Sequence, residues 1–297
     1  MRMTIARCTI TTAAILAASL SGCGGEGEKL DNAIQGNSQT VTIATTAADW
    51  SAPAGMALVW SDEFEGSSID TSVWSYETEA TGWKKEWNSE LQDYLDDGTG
   101  GKNAFIVRDG ENTCLAIKAT KTGTSSWASA RMITKGKKHW KHGVIAARMK
   151  LPKGQGIWPA FWMLPETGAW PTGGEIDVME MIGGGAGRDN LTYGTVHGPG
   201  YSGPQGIQGS VILASGDFSD AYHVFEVRWQ ADGISWYVDG ALYHEVAASR
   251  VPGNWPFNDS DFYVLFNLAV GGGWPGNPDA TTVFPQTMLV DWIRVYQ

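Results

Sequence analysis

Along most of this chain apolar residues recur at every second position, and that period limits what the chain can become. Val224-Phe-Glu-Val-Arg-Trp229 alternates, Ala231-Asp-Gly233 turns, residues 234–238 alternate again, and Asp239-Gly240 leads into residues 241–246. Successive side chains of a strand point to opposite faces, and Asp-Gly between two alternating runs marks a tight hairpin. Similar runs occur at 114–119, 144–151, 175–181, 262–270 and 288–296. No window carries a capped 3.6-residue period, which argues against helical bundles and coiled coils. Composition agrees, because charged residues are only 18% against a usual value of about 25%. The expected fold is all-β, an antiparallel sandwich formed by one domain over 53–297. Trp140, Trp229, Trp236 and Trp292 are expected to pack inside it.

The first 22 residues read as an export signal. Arg2 and Arg7 precede a 12-residue apolar core at 9–20, too short for the ~20 residues of a membrane span. The core ends at Leu20-Ser21-Gly22-Cys23, which resembles a bacterial lipoprotein box with Cys23 as the acylated residue. The expectation is an exported lipoprotein anchored to a membrane, in the periplasm or at the cell surface, with a flexible linker over 23–52. Cys8 would leave with the signal and Cys23 would carry lipid, so Cys114 would have no disulfide partner within the chain. Such a domain must be held by a large core, with Cys114 an inert buried thiol. The net charge of −11 repels phosphate backbones and argues against nucleic-acid binding.

The chemistry concentrates in Gly173-Gly174-Glu175-Ile176-Asp177-Val178-Met179-Glu180-Met181. Positions two apart share a face of a strand, so Glu175 and Asp177 point together while Ile176 and Val178 pack inward. Plain alternation would turn Glu180 into the core, where a lone carboxylate is very costly. A β-bulge at Val178-Met179 adds one residue and returns Glu180 to the acid face. Two carboxyl groups about 5–5.5 Å apart are what glycoside hydrolysis with retention requires. Asp177, lying between them, would position one and help keep the other protonated.

This segment resembles the signature of glycoside hydrolase family 16, in the bulged form carried by its laminarinase (endo-β-1,3-glucanase) branch. The resemblance extends through Leu58-Val-Trp-Ser-Asp-Glu-Phe64, Asn88-Ser-Glu-Leu-Gln92, Ser129-Ala-Arg-Met132 and Gly154-Gln-Gly-Ile-Trp-Pro-Ala-Phe-Trp-Met163. It continues in Val196-His-Gly-Pro-Gly-Tyr-Ser-Gly203, Asn267-Leu-Ala-Val270, Trp274-Pro-Gly276 and Val290-Asp-Trp-Ile-Arg-Val-Tyr296. It implies a concanavalin-like jelly roll with a concave sugar cleft, Glu175 as nucleophile, Glu180 as general acid/base and Asp177 as their helper. It further implies that Trp158 and Trp162 line the subsites on the non-reducing side and that Asn88 and Arg131 bind sugar hydroxyls. Ser89 stands where the family motif commonly has a second Asn. By the same resemblance His197 faces the leaving group near Glu180. Trp274 is either a cleft wall or a turn plug. No cofactor is needed for catalysis; a structural calcium with Glu63 and Asp291 as ligands is carried over from the family.

The reaction so implied is hydrolysis of a laminarin-like β-1,3-glucan by a monomer. Mixed-linkage glucan, a galactan, sugar transfer in place of hydrolysis, and a non-catalytic glucan-binding role stay open as alternatives. His139 and His142 lie in a basic loop without further ligands, so zinc is not expected there. Phosphoryl transfer and serine hydrolysis have no motif in the chain.

Overall fold

The computed structural model of the protein describes residues 40–44, 47, 50–96, 102–185 and 188–297. In chain order its strands are β1 (Thr40–Ile43), β2 (Leu58–Asp62), β3 (Ser75–Tyr76), β4 (Gln92–Tyr94), β5 (Ala104–Asp109), β6 (Asn112–Lys121), β7 (Trp127–Ser129), β8 (Arg131–Ile133), β9 (Gly143–Lys150), β10 (Ile157–Pro165), β11 (Glu175–Glu180), β12 (Leu191–His197), β13 (Ile207–Leu213), β14 (His223–Gln230), β15 (Gly233–Val238), β16 (Ala241–Ala247), β17 (Phe262–Val270) and β18 (Gln286–Tyr296). The Asp239-Gly240 turn forms as its residues demand. Both sit at positive φ, 51° and 82°, the combination of a type I′ hairpin.

Two sheets result. One has eight strands in the order β1-β13-β12-β11-β10-β17-β8-β3. The other follows β16-β15-β14-β9-β18-β6-β7-β4, with β2 joined to β18 and β5 to β6. Pairing is antiparallel except for β1 with β13 and β4 with β7, so the sandwich is antiparallel with two parallel pairs. The alternation seen in the sequence becomes two faces per sheet. Phe161, Ile176, Val264 and Phe266 of the first sheet meet Ile145, Phe225, Val227, Trp236 and Ile293 of the second in one buried core. Each such side chain contributes about 1.5–3 kcal/mol on burial, which is how the domain stands without a disulfide. Cys114 is free and buried. Burial raises its pKa, as befits an inert thiol.

Two expectations change. Residues 40–43 are not linker: Thr-Val-Thr-Ile forms β1 on the edge of the eight-stranded sheet. Trp50 follows it onto the domain, its ring 5.2 Å from Trp292. Trp140, Trp229 and Trp236 join the main core, but Trp292 belongs to a separate cluster with Ala146, Val224 and Trp50 on the outside of the second sheet. The alternation there turns it outward, and Trp50 covers it. Cys8, Cys23 and the whole signal segment lie outside the described residues. Among the described residues no helix is long and apolar enough to cross a membrane.

Candidate active site

Regular pairing breaks in β11. Trp162 of β10 pairs with Asp177, and Phe161 pairs with Met179, so Val178 is left over. On the other side Asp177 pairs with Thr195 and Glu180 with Tyr193, the same one-residue slip. Val178 and Met179 both enter the core, 1% and 0% exposed. This is the bulge expected from the acid spacing, and it turns Glu180 back to the outer face beside Glu175 and Asp177.

Glycines allow the strand to sit there. Gly174 turns the chain into β11 at φ 88°, and a Cβ on it would stand 2.9 Å from the Phe257 ring. Gly194, on β12 behind the bulge, has Trp236 and Tyr243 so close that a Cβ would come within 2.3 Å and 2.5 Å of them. That close approach lets the Trp236 indole donate to the Asp177 carbonyl oxygen at 2.8 Å, fixing the backbone of the middle acid.

The electrostatics of the three acids are set by what they lack. Among the described residues, His197 supplies the only basic side chain at ion-pair distance, with Nε2 3.2 Å from Asp177 Oδ2 and 3.8 Å from Glu175 Oε1. Asp177 is 2% exposed. Burial pushes Glu175 up to about 8, and the charge of Asp177 pushes the same way; His197 and the indole N–H of Trp170 ease its ionisation. Burial also raises Asp177. Glu180 is raised well above the carboxylate range by burial first, then by the charges of Asp177 and Glu175. His197 opposes the rise, and so does the Trp158 indole, which donates to Glu180 Oε1 at 3.1 Å. Three acids this close do not ionise together. The first charge is favoured on Asp177, whose value of about 7 lies below the Glu175 value of about 8. His197 is nearer to it and the Glu175 carboxyl hydrogen-bonds to it, so Glu175 and Asp177 share one proton while Glu180 keeps its own. A carboxylate beside a carboxylic acid can attack a carbon and protonate a leaving oxygen.

Around the acids the outer face of the eight-stranded sheet is lined with flat rings and polar groups. Trp158 meets Trp274 edge-on at 5.6 Å, and Trp274 meets Tyr193 at 5.1 Å. Trp274 is therefore a wall rather than a turn plug. On the opposite side Trp170, 55% exposed, has its ring 6.3 Å from His197. Trp162 donates to Asn267 Oδ1 at 2.7 Å and carries the Arg131 guanidinium 4.6 Å above its ring. Arg131 is itself held by Glu77 at 2.5 Å. Asn88 stands at the rim, its carbonyl oxygen accepting from Gly273 N–H at 2.8 Å in the loop that carries Trp274. Its amide donates to Glu90 Oε1 at 3.0 Å.

Two sequence expectations need correction. His197 stands opposite Glu175 in the β11–β12 register, while Glu180 faces Tyr193. His197 therefore belongs to the Glu175 end of the cluster. Glu63 and Asp291 do not form a calcium site. Glu63 is gripped by Arg294 at 3.0 and 2.8 Å, and Asp291 by Arg148 at 2.7 Å. Carboxylates already neutralised by guanidinium groups do not fit a cation that needs six to eight oxygen ligands. Neither belongs to a cluster of three potential metal ligands among the described residues.

Sequence reasoning missed Trp170, Tyr193 and a buried polar chain beneath the cleft. Buried Glu90 accepts from Asn88, from Gln92 Nε2 at 2.5 Å and from Tyr94 Oη at 3.3 Å; Tyr94 in turn accepts from Asn267 at 3.0 Å. Its signal was available: Glu90, Gln92 and Tyr94 are spaced two apart, the period of one strand face.

The family profile described as Glycosyl hydrolases family 16 matches residues 96–294. The chain is 40% identical over 273 residues to glucan endo-1,3-beta-glucosidase A1 of Niallia circulans, covering 82% of this chain and 38% of that protein. It therefore spans well under half the length of that relative. It is 34% identical over 260 residues to a beta-glucanase of Rhodothermus marinus, covering 81% of this chain and 85% of the relative. Among solved structures it is similar to the laminarinase catalytic domain of Thermotoga maritima, with a TM-score of 0.73 and 45% identity over 82% of this chain and 98% of that one.

Proposed function

The chain belongs to glycosyl hydrolases family 16, and from that premise we propose that it is a retaining endo-β-1,3-glucanase. The observation that carries the proposal is the one-residue bulge at Val178, which sets Glu180 on the same face as Glu175. The substrate assignment is supported by the laminarinase and β-1,3-glucanase names among its relatives.

In the first step Glu175 attacks the anomeric carbon of the glucosyl unit. Glu180 gives its proton to the departing glycosidic oxygen, and the C–O bond breaks as the glucosyl-Glu175 ester forms. Glu180, now a carboxylate, takes a proton from water. The resulting oxygen attacks the same carbon and releases Glu175, so two inversions give net retention. Asp177 acts through its charge, which holds Glu180 protonated. Trp158, Trp162 and Trp274 offer rings to the apolar faces of the sugars, and Asn88 and Arg131 offer donors to their hydroxyls. No cofactor takes part.

The test is incubation with laminarin, curdlan, lichenan and agarose followed by product sizing. β-1,3-glucans should be cut internally to short oligosaccharides and agarose left intact. Wild-type protein that binds laminarin without releasing reducing ends would overturn the reading.

The proposal extends to location. An acylated Cys23 would hold the domain at a membrane on the exported side, supported by Arg2, Arg7 and the 12-residue apolar core that ends at Leu20-Ser21-Gly22. Cys23→Ala should move the protein from the membrane fraction to the soluble fraction; unchanged fractionation would contradict the anchor.

A further inference from the structure

The acid cluster contains an arrangement that hydrolysis does not require. One ligand atom each from Glu175, Asp177 and His197 lie within 4.8 Å of one another. His197 Nε2 is 3.2 Å from Asp177 Oδ2 and 3.8 Å from Glu175 Oε1. Zinc binds imidazole and carboxylate at about 2.0–2.2 Å in tetrahedral geometry, which places neighbouring ligand atoms roughly 3.4 Å apart. The two distances from His197 Nε2 bracket that value, and the carboxylate oxygens of Glu175 and Asp177, within 4.8 Å of each other, close to it by adjustment of the Glu175 side chain.

A second observation points to the same spot. Asp177 is 2% exposed, and its Oδ2 has no hydrogen-bond partner. A buried carboxylate oxygen without a donor is expensive, and this one turns toward His197 Nε2. Among the described residues no lysine or arginine lies at ion-pair distance of the three acids, so no permanent cation competes for the place. The donor set selects the metal. One imidazole with carboxylates suits zinc or copper, whereas magnesium and calcium take all-oxygen shells.

We propose that the cleft also binds a divalent transition-metal ion of the zinc or copper class, held by His197 Nε2, Asp177 Oδ2 and Glu175 Oε1, and that the bound ion blocks the reaction. The blocking rests on the glucanase reading; the binding does not. Ligation through Oε1 draws the negative charge of Glu175 onto the ion and weakens its other oxygen as a nucleophile, and the ion sits against the carboxylate that must meet the anomeric carbon. Metal and glucan therefore exclude each other. Glu180 lies outside the ligand set, on the far side of the bulge, so it separates catalysis from metal binding.

Zinc chloride is titrated into the full chain and followed by calorimetry and, separately, by initial rates on laminarin. One zinc per chain is expected, with hydrolysis falling as occupancy rises and magnesium without effect at the same concentration. Glu180→Gln should be inactive yet bind zinc like the wild type. His197→Gln should weaken binding by more than the roughly 10–100-fold that loss of an outer-shell partner causes. Glu175→Gln, near-isosteric, should weaken it as well and serves if His197→Gln does not fold. Absence of zinc binding by the wild type, or unchanged affinity in both ligand variants, overturns the site. Zinc binding without any laminarin hydrolysis supports the site and refutes the glucanase reading alone; hydrolysis without zinc binding does the reverse.

Discussion

The outer faces of the two sheets treat carboxylates in opposite ways. On the ten-stranded sheet Asp291 is paired with Arg148, Glu63 with Arg294, Glu226 with Arg228, and Asp109 with Lys150. On the eight-stranded sheet Glu175, Asp177 and Glu180 have, among the described residues, His197 as their one basic neighbour at ion-pair distance, and burial raises all three pKa values. Pairing settles a carboxylate: it faces a guanidinium or ammonium group and contributes to the fold. Leaving acids together without a permanent cation keeps a proton on the cluster and makes it transferable. That arrangement opposes stability and enables chemistry, and the fold confines it to one bulged strand.

The sharpest way to break the contrast is to neutralise an acid on each side. Glu175→Gln or Glu180→Gln should lower kcat on laminarin by about 10³–10⁴-fold, in line with loss of a nucleophile or general acid, without lowering stability. Glu175 ordinarily ionises near 4.5 and here near 8, so the folded state holds its proton more tightly than the unfolded chain. The stability from that proton is complete below the ordinary value and is lost as pH rises toward 8. Relative to wild type, Glu175→Gln should therefore melt at a higher temperature near pH 8 than near pH 4, by about 2–4 °C for each kcal/mol. Scanning calorimetry at the two pH values checks this; an equal difference at both would refute it.

A smaller effect is expected at the middle acid. Asp177→Asn removes a charge that raises Glu180, so the alkaline limb of the kcat/KM profile should move to lower pH, with activity down by about 10–100-fold. A profile that loses height without moving would remove Asp177 from proton control. On the other face, Arg148→Met leaves half-buried Asp291 without its partner and should cost about 1–3 kcal/mol, leaving kcat/KM unchanged. Glu63→Gln, at a more exposed pair, should change stability by less than about 1 kcal/mol. Urea unfolding and laminarin kinetics on the same samples separate the two kinds of effect.

Much of this contrast is legible in the sequence. The period of two and the Asp239-Gly240 turn lead to the sandwich, and the five-residue step from Glu175 to Glu180 demands the extra residue that Val178 supplies. What the sequence does not carry is which strand lies opposite which. The family resemblance points His197 to the Glu180 end, and the β11–β12 register that sets it opposite Glu175 cannot be read from either strand alone. Glu63 and Asp291 looked free because Arg294 and Arg148 reach them only in the folded sheet. β1 was hidden by its four-residue length and by a partner strand about 170 residues away. Trp170 sits in a turn-rich loop, and nothing local places its indole beside Glu175.

The kink at Val178 brings a nucleophile and an acid to one side of a sugar. The anomer first released from a β-1,3-glucan, followed by proton NMR before mutarotation, reads that arrangement directly. Initial release of the β anomer is the predicted result; initial release of the α anomer would mean inversion and would contradict the paired roles of Glu175 and Glu180.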